Sequence, residues 1–126
     1  MLGDKDSCTT LAVKDLAEAV SFYTDVLGLT KDQENPGGVL LKSGNSMVFL
    51  YESKENAGTN KGTAMSWKVD DVPMVADDLK AKGVTFEHYP DLPGTTLEGD
   101  IHMMGPSKSV WFKDPSGNIL NVVSGM

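Results

Sequence analysis

A single cysteine, Cys8, stands in a chain of 126 residues. No internal disulfide can form, and no CxxC pair or His-rich tract offers a structural zinc site. Positive charge is scarce: 11 basic residues against 18 acidic ones leave a formal net charge of −7. Such a surface repels phosphate backbones and anionic headgroups, which argues against nucleic-acid and membrane partners. No apolar run approaches the roughly 20 residues that span a bilayer. The opening segment MLGDKDSCTT carries no basic region followed by an apolar stretch, so no signal peptide is read and a cytoplasmic location is expected. What the chain does hold is 40% hydrophobic and 23% charged residues, a composition of globular rather than disordered proteins. Its length suits one domain, residues 1–126, with a core of its own.

Within that length one design occurs twice. Asp15 takes an N-cap position, with Glu18 three residues on in a box-like arrangement. Leu16, Val20, Tyr23 and Leu27 then form one apolar stripe at helical spacing, and Gly28 is a good stop. The pattern returns with Asp71 as cap, Val72, Val75, Ala76 and Leu79 as stripe, and Gly83 as stop. Pro73 falls in the first turn, where a missing N–H does little harm.

Strand-like runs precede each helix, at Cys8–Val13 and Thr63–Val69. Hairpins follow: Val39–Leu41 and Met47–Tyr51 flank Gly44-Asn45, and Ser109–Lys113 and Asn118–Val123 flank Asp114-Pro115-Ser116-Gly117. The reading is strand, helix and three strands, twice, with modules at about 7–54 and 63–124. The segment Tyr89–Pro106, rich in proline and glycine, is too long for a simple connector and reads as a functional loop. The strand Met47–Tyr51 is apolar on both faces, so something covers each face.

Three strings carry a resemblance. Asp15-Leu16 through Phe22-Tyr23 and Val26-Leu27-Gly28-Leu29 form the first; Val69-Asp70-Asp71-Val72 with Leu79 to Val84 the second; Trp111-Phe112-Lys113-Asp114-Pro115-Ser116-Gly117-Asn118 the third. In this order they resemble the vicinal-oxygen-chelate superfamily of glyoxalases, bleomycin-resistance proteins and extradiol dioxygenases. The resemblance implies an α+β fold of two βαβββ modules forming a cupped mixed sheet, assembled as a dimer. It also implies four inward-facing metal-ligand positions, one on the first strand and one on a late strand of each module. Here those positions fall on Cys8, Phe49, Ala64 and Asn121. Phenylalanine and alanine offer no donor, asparagine is a weak neutral one, and one thiol makes no site. No metal and no cofactor are expected. What the resemblance leaves is the metal-free, bleomycin-binding kind of member, whose dimers sequester a ligand.

Other residues are weighed individually. Cys8 as a nucleophile would need a nearby cation, and none is visible, so a small partly buried residue is the plainer reading. His88 and His102, with Glu87 or Glu98, do not stand at ligand spacing, although a relocated metal site at the two histidines stays open. His102 is a candidate pocket residue or base. Strand parity turns Ser66 and Lys68 to the cavity and Trp67 to the core. Met47, Phe49 and Tyr51 share a face and suit stacking on a flat ligand or packing against a partner chain. Trp111, and Met103 or Met104, extend an adaptable aromatic–methionine lining. Asn121 needs partners if buried, from the protein or from a ligand.

Two functions are carried forward. One is a metal-independent protein that sequesters an aromatic or apolar small molecule in a cavity or dimer groove. The expected contacts are Cys8, Met47, Phe49, Tyr51, Ala64, Ser66, His102, Trp111 and Asn121. The alternative is a glyoxalase-like lyase or isomerase, or another enzyme, using no metal or an unrecognised one.

Overall fold

The computed structural model describes residues 1–126. The chain is α+β and carries two mixed sheets, one in each of two compact units. The first unit comprises residues 1–59 with the turn 115–118; the second comprises residues 60–114 and 119–126.

The first unit contains β1 (Cys8–Val13), α1 (Leu16–Ser21), β2 (Thr30–Asn35), β3 (Gly38–Ser43) and β4 (Ser46–Glu52). Its sheet runs β1-β4-β3-β2, with β1 and β4 parallel and the rest antiparallel. Asp15 caps α1, its carboxylate accepting from the Glu18 N–H at 3.0 Å. The predicted continuous α-helix does not persist: Phe22–Val26 is a π-helical turn. The Thr24 hydroxyl donates to the Val20 carbonyl at 2.8 Å, competing for an acceptor of the α-ladder, and the Leu27 N–H reaches back five residues to Phe22. The turn places Tyr23 fully in the core beside Ala19. Leu11, Val13, Val48 and Leu50 are buried on one face of the sheet, against which α1 packs.

The turn Pro115–Asn118 belongs to this unit through its polar groups. The Lys14 N–H donates to Ser116 Oγ (2.9 Å), Asn118 Nδ2 donates to the Ala12 carbonyl (2.9 Å), and the Gly58 N–H donates to Asn118 Oδ1 (3.2 Å). Gly58 has φ of +69°, and a Cβ there would collide with the Ser116 carbonyl oxygen. The Asp-Pro-Ser-Gly-Asn string is thus more than a hairpin turn: two of its side chains satisfy backbone groups far away in sequence.

The second unit contains β5 (Thr63–Lys68), α2 (Val72–Ala81), β6 (Phe86–Glu87), β7 (Thr96–Glu98), β8 (Ile101–Met104), β9 (Ser107–Lys113) and β10 (Ile119–Ser124). The order is β5-β10-β9-β8-β7, with β6 beside one end of β9. Asp71 caps α2 by accepting from the Met74 N–H at 3.0 Å. Val72, Ala76 and Leu79 are buried, and the helix packs on β9 and β10, whose Val110, Phe112, Leu120 and Val122 are buried too. Phe86 meets Phe112 edge to face, with 6.2 Å between centroids. The expected loop Tyr89–Pro106 is corrected here. Its second half is the β7–β8 hairpin, because β8 finds unpaired ladder groups on β9 at Ser107–Ser109. No helix is long and apolar enough to cross a membrane.

Candidate functional site

In the first unit, β1 and β4 bring Cys8 opposite Met47, Thr10 opposite Phe49 and Ala12 opposite Tyr51. Alternation puts these on the face away from α1. Met47, Phe49 and Tyr51 are all half-buried, between buried Val48 and Leu50. The four residues named from sequence on this unit therefore share a face. Cys8 itself is exposed, not partly buried as the sequence suggests.

In the second unit, one face of the sheet carries His102, Ser109, Trp111 and Asn121. Register sets this: His102 lies opposite Ser109, and Trp111 opposite Asn121. Ser66 lies opposite Asn121 but is exposed, and Ala64 sits at a shift in the β5–β10 register. Asn121 is buried and donates from Nδ2 to the Val110 carbonyl at 3.2 Å, a partner within the protein. Trp67 takes the opposite face, with Val122, as parity predicts.

Trp111 borders a pocket of about 180 Å³. Leu92, Ile119 and Tyr89 supply apolar wall, and Lys61, Gly62 and Thr63 the polar side. The indole Nε1 donates to Thr63 Oγ1 at 3.0 Å, and Tyr89 stands edge to face against the indole at 5.6 Å. The Tyr89 hydroxyl is enclosed without a hydrogen-bond partner, and burial, then the Glu87 carboxylate, push it above the ordinary tyrosine range. Tyr89, Leu92 and Lys61 were not foreseen from sequence. Their one sequence signal was membership of, or closeness to, segments already read as loops.

His102 does not line this pocket, which corrects the expectation. It is completely buried behind the pocket's aromatic walls, with Trp111 edge to face at 4.8 Å and Tyr89 at 6.0 Å. Its Nε2 accepts from the Tyr89 N–H at 2.9 Å, which assigns the neutral ring's proton to Nδ1. Nδ1 has no well-formed hydrogen bond. Burial holds the imidazole below the usual histidine range, with His88 adding to the effect; the Ser109 and Asp100 carbonyls and the Asp100 carboxylate oppose it. His88 lies nearer the surface and meets Asp100 Oδ1 at 2.7 Å, while Lys80 takes Oδ2 at 2.9 Å. Lys80 and then His88 keep Asp100 below the ordinary carboxylate range. The two histidines thus have separate partners and do not converge as a relocated metal site.

The residues at the four positions that the sequence resemblance assigns to metal ligands do not fit a metal. Phe49 and Ala64 have no donor atom, Asn121 offers only a weak neutral amide oxygen, and Cys8 is an exposed lone thiol. No three His, Cys, Asp or Glu side chains cluster closely enough to hold an ion elsewhere.

Two modules of strand, capped helix and mixed sheet in this order define a protein of paired βαβββ construction. The chain belongs to the Glyoxalase/Bleomycin resistance protein/Dioxygenase superfamily, whose family profile matches residues 7–122. Among solved structures it is similar to lactoylglutathione lyase from Agrobacterium tumefaciens, with 26% identity, a TM-score of 0.69, and coverage of 97% of this chain and 94% of that one. It is similar to TnmS3, an antibiotic binding protein from Streptomyces sp. CB03234, at 21% identity and TM-score 0.69, covering 98% of each chain. The fosfomycin resistance protein FosX from Listeria monocytogenes matches at 16% identity and TM-score 0.72, over 95% of this chain and 92% of that one. The last two likenesses are of fold.

Proposed function

We propose that this protein binds and sequesters an aromatic or apolar small molecule without a metal, as bleomycin-resistance-like members do. The observation that carries the reading is the Trp111 pocket: an indole held in place by Thr63, with Tyr89, Leu92 and Ile119 around it. Aromatic faces held rigidly lose little entropy on stacking and gain dispersion and quadrupole contacts with a flat ring. The donor-poor residues at the family's ligand positions support the same reading, since a Lewis-acid step has no first coordination shell to work from. TnmS3, similar in fold, is an antibiotic binding protein.

At about 180 Å³ the pocket is smaller than the roughly 300–1,000 Å³ that encloses a whole drug-sized ligand. It accepts one ring system. The rest of the ligand is held in a groove completed by a second copy of the chain, which acts over residues 1–126 as one binding domain. The half-buried face of Met47, Phe49 and Tyr51 in the first unit is a second apolar surface that suits a flat ring.

The competing reading, a glyoxalase-like lyase or isomerase working with no metal or an unrecognised one, draws on the 26% identity to lactoylglutathione lyase. One experiment separates them. Protein treated with EDTA is titrated with bleomycin and a panel of polycyclic aromatic compounds, followed by thermal shift and tryptophan emission. A true ligand at a hundredfold excess over its Kd adds about 2.7 kcal/mol and raises Tm by several degrees. Binding that persists in EDTA and weakens in Trp111→Ala supports the proposal. Turnover of a glutathione hemithioacetal, or binding that requires added metal, overturns it.

A further inference from the structure

Resting on the reading of the Trp111 pocket as a ligand site, we propose that His102 is its positioning residue: it never touches the ligand, but its neutral ring holds both aromatic walls, and protonating that ring releases them.

The argument begins with register. β6 pairs with β9 as far as Glu87 opposite Trp111. Continued antiparallel pairing would set Tyr89 opposite Ser109, but that place on β9 is taken by His102 of β8. The Tyr89 N–H therefore has no ladder carbonyl. The His102 ring substitutes for it, accepting at 2.9 Å through Nε2. The same ring stands edge to face on Trp111 at 4.8 Å. One fully buried side chain thus joins the two aromatic walls of the pocket.

This arrangement works in one protonation state. An imidazolium has a donor at both nitrogens, so Nε2–H would face the Tyr89 N–H, donor against donor. Its charge would also be buried. The Ser109 and Asp100 carbonyls and the Asp100 carboxylate favour the charged ring, but burial outweighs them. On β8's own side Asp100 is engaged with Lys80 and His88. From β6, Glu87 faces Lys113 of β9. Lys108 of β9 and the exposed Glu98 of β7 lie one register position to either side, and Tyr89 presents a neutral ring. The depressed basicity of His102 agrees with this geometry. The sign for stability follows: the neutral ring's contribution is complete above the ordinary histidine pKa of about 6.5 and is lost as pH falls through the lower folded-state value.

The test uses 1-naphthol, an uncharged probe between about pH 5 and pH 8, the range in which histidines switch. Its affinity for the wild type should fall about tenfold per pH unit once His102 protonates. His102→Gln keeps an acceptor for the Tyr89 N–H but gives up the ring contact on Trp111 and does not titrate; it should bind more weakly than the wild type at high pH and show no acid dependence. His102→Leu should bind poorly throughout. His88→Asn should keep the acid loss, with its midpoint moved upward. A flat wild-type profile, or acid loss that persists in His102→Gln or vanishes in His88→Asn, overturns the proposal. A ligand-free readout keeps it testable if a variant fails to fold or naphthol does not bind. In NMR spectra of the wild type, the Tyr89 amide and Trp111 indole N–H signals should shift together with the His102 ring as pH falls. Failure of naphthol to bind at high pH, with these signals moving, defeats the binding reading alone. Static signals defeat the role of His102.

Discussion

The two modules share a strand order and differ in what closes the second face of the sheet. In the first, the Gly28-Leu29 link carries the chain from its helical segment straight into β2. The face away from α1 is left with Met47, Phe49 and Tyr51 half-open. In the second, residues 88–100 intervene between β6 and β8, and on the corresponding face the rings of Tyr89, Trp111 and the fully buried His102 cluster together. The repeat thus builds two platforms, and the extra segment builds a pocket wall on one of them. The candidate site owes more to that insertion than to the repeated unit, which agrees with loops carrying function on rigid scaffolds.

Perturbing equivalent layers of each module sharpens this comparison. The largest effects belong to the cores. Phe112→Ala should cost about 3–5 kcal/mol and Leu41→Ala about 2–5, both measured by urea unfolding. A Phe112 variant near wild-type stability would show that the second core tolerates a cavity the first does not. Next come two buried asparagines. Asn118→Ala strands both the Gly58 N–H and the Ala12 carbonyl, and should cost about 2–3 kcal/mol. Asn121→Ala, which removes the bond donated to the Val110 carbonyl, should cost about 1 kcal/mol. Reversal of that order would break the assignment of Asn118 as the structural asparagine. The caps follow: Asp15→Ala and Asp71→Ala should each lose about 1 kcal/mol by the same assay. A much larger loss at Asp71 would mean that the ten-residue α2 depends on its cap more than the six-residue α1 does. Smallest is Cys8→Ser, exposed at the start of β1, which should stay within about 0.5 kcal/mol.

Several elements were legible along the chain because their causes are local. Asp15 and Asp71 accept the N–H three residues on, and Gly28 and Gly83, at φ of +83° and +90°, end the helical segments. The alternation of Val48 and Leu50 with Met47, Phe49 and Tyr51 was visible as parity, since a strand turns successive side chains to opposite faces. Other elements left no such trace. β2 reads Thr-Lys-Asp-Gln-Glu-Asn, is exposed throughout, and is a strand because β3 offers it an edge. The π turn at Phe22–Val26 hides in an ordinary helical stripe. The β7–β8 hairpin lies among glycines and prolines that suggest loop.

The candidate site divides in the same way. Trp111 could be picked out by its strand and its chemistry, but Tyr89 and Leu92 could not. By itself the sequence determined the repeat, the caps, the hairpins and the donor-poor character of the four family ligand positions, all of which depend on residue type and short spacing. Only the tertiary structure decided that His102 is a buried support behind the pocket rather than part of its lining. That outcome depends on β8 displacing the continuation of β6 from β9, a competition among strands for one set of ladder hydrogen bonds that no local pattern records.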